Sequence, residues 1–280
     1  MRLHLVTCTD WNYRRWTTTL INSLDDSWTE KFVIAVGEGD WEAYGAQLGV
    51  TIIPQQFNHA MDPIRWCQNV RMRHLRALIE DCDWLLQIDS DVRQNLPFHM
   101  EDLKHSNKHH NNREHIFHAI VKKVGKVKDG MYTKVDPRFT INAGWCLYKN
   151  CKENLEKLEK IQQAFDTEYV DKQNWDQLEL LKHYDGIVSE VPFKYVDEGS
   201  FGGFWPYAGW YHAKGPRLKT VSTNWHDLNA TPTPSMNKKE WERIYKNKYW
   251  KSKKRLFELD EKKIILYNIK YEHYRDKISS

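Results

Sequence analysis

The chain has 280 residues, with 42 Lys/Arg against 38 Asp/Glu, a formal net charge of +4, 13 tryptophans and 14 tyrosines. That length can bury one large core or two modest ones, and no run approaches the ~18 apolar residues of a membrane-spanning helix. Five cysteines, odd in number and without a CxxC pair, argue against a zinc cage or disulfide framework and point to a reducing compartment.

The first ninety residues alternate between strand-like and helical patterns. "LHLVT" is a strand that follows the initiator directly, leaving no room for a signal peptide; an intracellular, cytoplasmic protein is expected. A helix around Trp16–Leu24, a strand "KFVIAVG", a short helix Trp41–Leu48 and a strand "VTIIP" follow. One long helix from about Pro63 to Cys82 leads into the strand "WLLQI". This alternation predicts a doubly wound, mostly parallel α/β sheet with helices on both faces.

Beyond "WLLQI" the pattern loosens. "HSNKHHNNREHIFH" is a histidine-dense loop entering a strand at His115–Val121. A metal cluster among His105, His109, His110, His115 and His118 would lack acidic or cysteine partners at ligand spacing. "FTINAGWCLYKN" gives a strand, Glu153–Phe165 and Asn174–Tyr184 give helices, and "IVSEVPFKYV" is strand-like. "GSFGGFWPYAGW" and "YHAKGPRL" close the body, and "NATPTPSMN" is the candidate linker to a tail. From Asn237 to Ser280 the tail holds 14 Lys/Arg and 7 Asp/Glu, so it carries +7 and the remainder −3. With Trp241, Tyr245, Tyr249 and Trp250 interleaved, residues 237–280 could meet a membrane surface or a lipid-linked acceptor, or pack as a helix on the body. A net-negative body argues against a nucleic-acid partner.

Chemistry concentrates where "LLQIDSDV" turns from apolar to acidic. In such sheets ligands bind outside the carboxyl ends of the strands, and Asp89 and Asp91 lie at one. Two carboxylates one residue apart in a loop can reach one Mn²⁺ or Mg²⁺, or they can cap the turn. On a wheel at ~100° per residue, Ile64, Cys67, Leu75, Leu78, Ile79 and Cys82 share one face of the preceding helix. Arg65, Asn69, Arg73 and Arg76 gather opposite, but Arg71 falls within the apolar face. A buried arginine needs a partner, either a phosphate or an aspartate.

"LVTCTDWNYRRW", "WLLQIDSDV", "INAGWCLYK", "NWDQLELL" and "YHAKGPRLK", in this order, resemble the DxD-containing GT-A glycosyltransferases, over roughly residues 1–219. The resemblance implies a Rossmann-like fold, a divalent metal and a nucleotide-diphosphate sugar, with a UDP-sugar favoured. It implies a nucleotide pocket at Thr7, Thr9, Asp10, Tyr13, Arg71, Asp89, Ser90 and Lys214. Asp89, Asp91 and His212 become the implied metal ligands, with His226 of "NWHD" the alternative histidine. "HAKGPRLK" is similar to the H-x-x-G-x-x-K signature of glycogenin-like retaining enzymes, with Lys219 one residue late. Asp176, Gln177 and Glu179 are the candidate catalytic groups; an inverting enzyme needs a carboxylate base, a retaining one does not. Asn174 and Asp176 also suit a plain helix start.

The expected organisation is a glycosyltransferase domain over 1–230, with a nucleotide-binding half at 1–95 and an acceptor half at 96–230, then the tail at 231–280. The acceptor is a glycan, lipid or protein. Segments Lys122–Phe139 and Gly199–Trp210 are candidate lids, and Trp205, Tyr207 and Trp210 candidate sugar-stacking rings. A sugar-phosphate nucleotidyltransferase is the rival enzyme, but "VTCTDWNYRR" lacks the glycines of a phosphate loop. A non-enzymatic nucleotide- or nucleic-acid-binding protein is the rival from outside enzymes.

Overall fold

The computed structural model describes residues 1–58, 62–94, 97–103, 115–123, 139–167, 175–191, 196–197 and 209–212. Among them a seven-stranded sheet is built from β1 (Leu3–Asp10), β2 (Glu30–Val36), β3 (Thr51–Gln55), β4 (Trp84–Ile88), β6 (Phe117–Lys123), β7 (Phe139–Lys149) and β8 (Ser189–Glu190). Its order is β3-β2-β1-β4-β7-β6-β8. The four N-terminal strands are mutually parallel, β7 runs antiparallel to both neighbours, and β8 is parallel to β6. The sheet is therefore mixed and mostly parallel, as the alternating pattern predicts.

Alternation along the strands sends side chains to two separate cores. Val6, Leu85, Ile141 and Tyr148 pack against α3 (Pro63–Met72), α4 (Leu75–Leu78), α5 (Lys152–Thr167) and α6 (Trp175–Tyr184). On the other face Leu5, Leu86, Ile88 and Leu147 pack with Leu20 and Ile21 of α1 (Arg14–Ser23). α2 (Trp41–Leu48) has the predicted bounds: Asp40 accepts the Ala43 N–H at its start, and Gly49 at φ +62° ends it.

One expectation for the helix before β4 needs correction. It is not continuous from Pro63 to Cys82 but breaks between Met72 and Leu75, where Arg73 and His74 donate to residues three back rather than four. The break coincides with Arg73, whose Nε and Nη2 donate to the Phe165 carbonyl at 3.1 and 2.7 Å and whose guanidinium lies 5.2 Å from the Trp66 ring centroid. That tertiary contact is invisible to a local pattern. The side opposite the apolar face packs as well: Asn69 is buried and Arg65, Arg73 and Arg76 are half-buried, as α3 touches β1, α5 and α6 and α4 touches α5.

A second, three-stranded sheet of order β5-β10-β9 sits past the end of β4. It comprises β5 (Val92–Gln94), β9 (Val196–Asp197) and β10 (Trp210–His212). Trp210, proposed as a sugar-stacking ring, is fully buried; its ring centroid lies 5.8 Å from Trp28 and 6.3 Å from Trp145. It wedges the small sheet onto the body and has no face for an acceptor. Trp205, Tyr207, residues 124–138 of the first lid and 199–208 of the second lie outside the described residues, as does the tail.

Candidate active site

Three elements deliver the site. β4 is buried between β1 and β7, so its chain emerges at the carboxyl edge of the sheet beside the end of β1. There Asp89 donates its backbone N–H to the Gly144 carbonyl at 3.0 Å, and Val92 N–H closes a turn onto the Asp89 carbonyl at 3.1 Å. β5 then leads away and pairs antiparallel with β10, placing Val92 opposite His212. Asp89, Asp91 and His212 thus meet because one short turn is clamped between two sheets.

The His212 Nε2 lies 3.2 Å from Asp91 Oδ1 and 3.4 Å from Asp89 Oδ2, and one ligand atom from each residue falls within 4.8 Å of the others. Asp91 and His212 side chains are 10% and 4% exposed and Asp89 is 30% exposed, so the cluster opens to solvent on the Asp89 side. Two hard carboxylates and an imidazole fit Mn²⁺, whose remaining coordination positions water or substrate oxygens would take. Gly144 makes the space: a Cβ there would fall 2.5 Å from Asp89 Oδ2 and 2.8 Å from His212 Cε1. The donor set and the cradle both suit a divalent cation.

Arg71 ends between Asp89, which Nη1 contacts through Oδ1, and Asp176, which Nη2 contacts through Oδ2 at 2.5 Å. Of the two readings of the buried arginine, the structure shows the aspartate partner, twice over. Burial works against its charge, but the two carboxylates more than offset that and hold the guanidinium above its ordinary value. Asp176 is fully buried at the start of α6 and also accepts the Gln177 backbone N–H at 2.8 Å. Burial raises its carboxyl above the usual range, with Arg71 pulling the other way.

The end of β1 supplies the remaining wall. Asp10 Oδ1 accepts the Tyr13 N–H at 2.8 Å, turning the chain into α1, and the Tyr13 hydroxyl donates to Asp91 Oδ2 at 3.2 Å. Burial, then Asp91, pushes the Tyr13 phenol up, so it remains a donor. Its ring stacks on Trp16 at 5.9 Å. Thr7, Thr9 and Ser90 are buried, and the Thr9 hydroxyl donates to the Asp10 carbonyl at 3.1 Å.

The geometry brings Tyr13, Arg71, Asp89, Asp91, Asp176 and His212 together. Gln177 is half-buried beside Asp176, whereas Glu179 faces Lys182 and His183 on its own helix at 3.4 and 3.5 Å. Lys214, Lys219, His226 and Asn174 lie outside the described residues, as do His105, His109 and His110. Gly144 as a spacer, and the amide of Gln87 that donates to the Ala143 carbonyl at 2.9 Å, were not among the expected site residues. The glycine in "NAGW" was a signal for close approach, but its partners were not readable.

At the sequence level no protein-family model and no curated protein matches the chain. Solved structures do resemble it. A structure of galactosyltransferase LgtC in complex with donor and acceptor sugar analogues superposes with TM-score 0.56 at 17% identity, covering 86% of this chain and 99% of that one. The glycosyltransferase GlyE of Streptococcus pneumoniae gives 0.52 at 15% identity, covering 90% of this chain and 61% of that one. The bifunctional glycosyltransferase WbbM gives 0.52 at 13%, covering 90% of this chain and 51% of that one.

Proposed function

The chain has the GT-A fold of these glycosyltransferases, and on that premise we propose that it is a metal-dependent glycosyltransferase. It would move a sugar from a nucleotide-diphosphate sugar, with a UDP-sugar favoured, to a glycan, lipid or protein acceptor. The observation that carries this reading is the meeting of Asp89, Asp91 and His212 at the carboxyl edge of β4, in a cradle that Gly144 keeps open.

Asp89, Asp91 and His212 would hold Mn²⁺ or Mg²⁺. A cation there supplies Lewis-acid stabilisation of the charge that develops on a diphosphate leaving group. The protein's own part is orientation. Arg71 bridges Asp89 and Asp176, leaving net negative charge for a cation, and orients the Asp89 carboxylate, and the Tyr13 hydroxyl orients Asp91. Preset ligands need no reorganisation as charge develops, which is where electrostatic catalysis gains most. Thr7, Thr9, Asp10 and Tyr13 line the adjoining edge at the end of β1, where the nucleotide would lie.

The reading leans toward retention of configuration. A general base must reach the acceptor hydroxyl, and the Asp176 carboxylate is fully buried and engaged by Arg71 and the Gln177 N–H. Glu179 is occupied by Lys182 and His183. Asp176 and Gln177 at the start of α6 would instead hold the donor sugar. Residues 237–280 would carry any contact with a membrane or a lipid-linked acceptor, and among the described residues no helix is long and apolar enough to cross a membrane.

The test is thermal unfolding with Mn²⁺ plus nucleoside diphosphates. A ligand at a hundred times its dissociation constant stabilises by about 2.7 kcal/mol, an upward shift of several degrees. No shift with any nucleoside diphosphate contradicts the proposal.

A further inference from the structure

β7 does not follow its neighbour β6 evenly. Ala119 pairs with Cys146 and the next residue, Ile120, pairs with Asn142, so Ala143, Gly144 and Trp145 have no β6 partner. Core contacts show the same phase change: Ile141 and Ala143 pack in the same core as Cys146 and Tyr148, skipping the regular alternation. The bulged stretch is the one that borders the candidate cation site, through Gly144 against Asp89 and His212.

A bulge leaves backbone groups to be satisfied by something other than the ladder. Here side chains supply the bonds. The Asn142 side-chain oxygen accepts the Gly144 N–H at 2.8 Å, and the Gln87 Nε2 donates to the Ala143 carbonyl at 2.9 Å. Gln87 is fully buried as the penultimate residue of β4, between the apolar Leu86 and Ile88. Its other end is also engaged, since the Tyr148 hydroxyl donates to Gln87 Oε1 at 3.0 Å. A buried amide is tolerated only when hydrogen-bonded, and this one is held by two partners.

We propose that Gln87 is a positioning residue for the candidate cation site, acting through the Ala143–Trp145 bulge. Gln87 holds Ala143, the held bulge keeps the Gly144 carbonyl on the Asp89 N–H and its Cα against Asp89 and His212, and the ligands keep their convergence. The Gln87 side chain bonds to the Ala143 carbonyl and the Tyr148 hydroxyl, neither of them a ligand atom of the cluster. The inference rests on the reading of Asp89, Asp91 and His212 as a cation site.

Mn²⁺ binding is measured directly, as free ion by electron paramagnetic resonance, in the unmodified protein, Gln87→Met and Tyr148→Phe. Partners behind metal ligands typically contribute about 10–100-fold in affinity. Gln87→Met is expected to weaken Mn²⁺ binding by about tenfold or more, while Tyr148→Phe, which keeps the Gln87–Ala143 bond, stays within about twofold despite a lower Tm. Unchanged affinity in Gln87→Met overturns the role of Gln87 alone, as do equal losses in both variants. No Mn²⁺ binding by the unmodified protein overturns the site reading with it. Should Gln87→Met not fold, the Gln87 side-chain amide protons of the unmodified protein decide: slow exchange with deuterium supports the bond to Ala143, and rapid exchange overturns it.

Discussion

Arg71 sits on the apolar side of its helix with a guanidinium shared by Asp89 and Asp176. Removing it strands a fully buried carboxylate, so Arg71→Ala is expected to destabilise the fold by about 3–5 kcal/mol, measured by urea unfolding. A loss below about 1 kcal/mol would mean that Asp176 finds another partner. Gly144→Ala tests space rather than charge. Its Cβ would meet Asp89 Oδ2 and His212 Cε1 well inside contact distance, so Mn²⁺ affinity should fall by about tenfold or more with little change in Tm. Arg71 was legible because a helical wheel flags a charge among apolar neighbours, and Asp89 and Asp91 because a buried strand ended on them. Gly144 and Gln87 were not, since their meaning lies in contacts 55 or more residues away in sequence, such as the bond from Gln87 to Ala143.

Among the elements, the small β5-β10-β9 sheet is the one on which the site depends most. It brings His212 to the aspartates, and it is fastened by Trp210 against Trp28 and Trp145. Gln94 on β5 reinforces the same junction by accepting the Trp28 Nε1–H at 3.1 Å and donating to Asp25 at 2.8 Å. Trp210→Ala should cost about 3–5 kcal/mol and also weaken Mn²⁺ binding, because the wedge and the ligand are two residues apart. Stability loss without any change in Mn²⁺ affinity would show that His212 is seated independently of the wedge. The parallel half of the large sheet was readable from strands and helices in alternation, and α2 emerged with its bounds. The break at Arg73 was not, because it coincides with a partner in another element, and the bulge at Ala143–Trp145 carried a glycine signal in Gly144 but is held by Gln87 of another strand.

At the scale of the whole fold, His118, which lies outside the candidate site, gives stability a pH dependence of its own. His118 is buried in β6, and burial, then His115, pushes its imidazole down to about 4. In the unfolded chain it returns to about 6.5, so between these values the unfolded state binds the extra proton. Stability from neutral His118 is therefore complete above about pH 6.5, declines as pH falls, and levels off near pH 4, a loss of roughly 3 kcal/mol at most. His118→Gln should flatten the unfolding free energy across that window, and an unchanged slope would assign the dependence to other groups. Sugar transfer with a cation held by Asp89, Asp91 and His212 is open to a turnover measurement. A panel of nucleotide sugars is incubated with Mn²⁺, and released nucleoside diphosphate is measured for the unmodified protein and Asp91→Ala. Mn²⁺-dependent release from at least one donor is expected, reduced by about 10²–10³ in Asp91→Ala with the fold intact. Release that is independent of Mn²⁺, or near-normal release by Asp91→Ala, would contradict cation-dependent transfer.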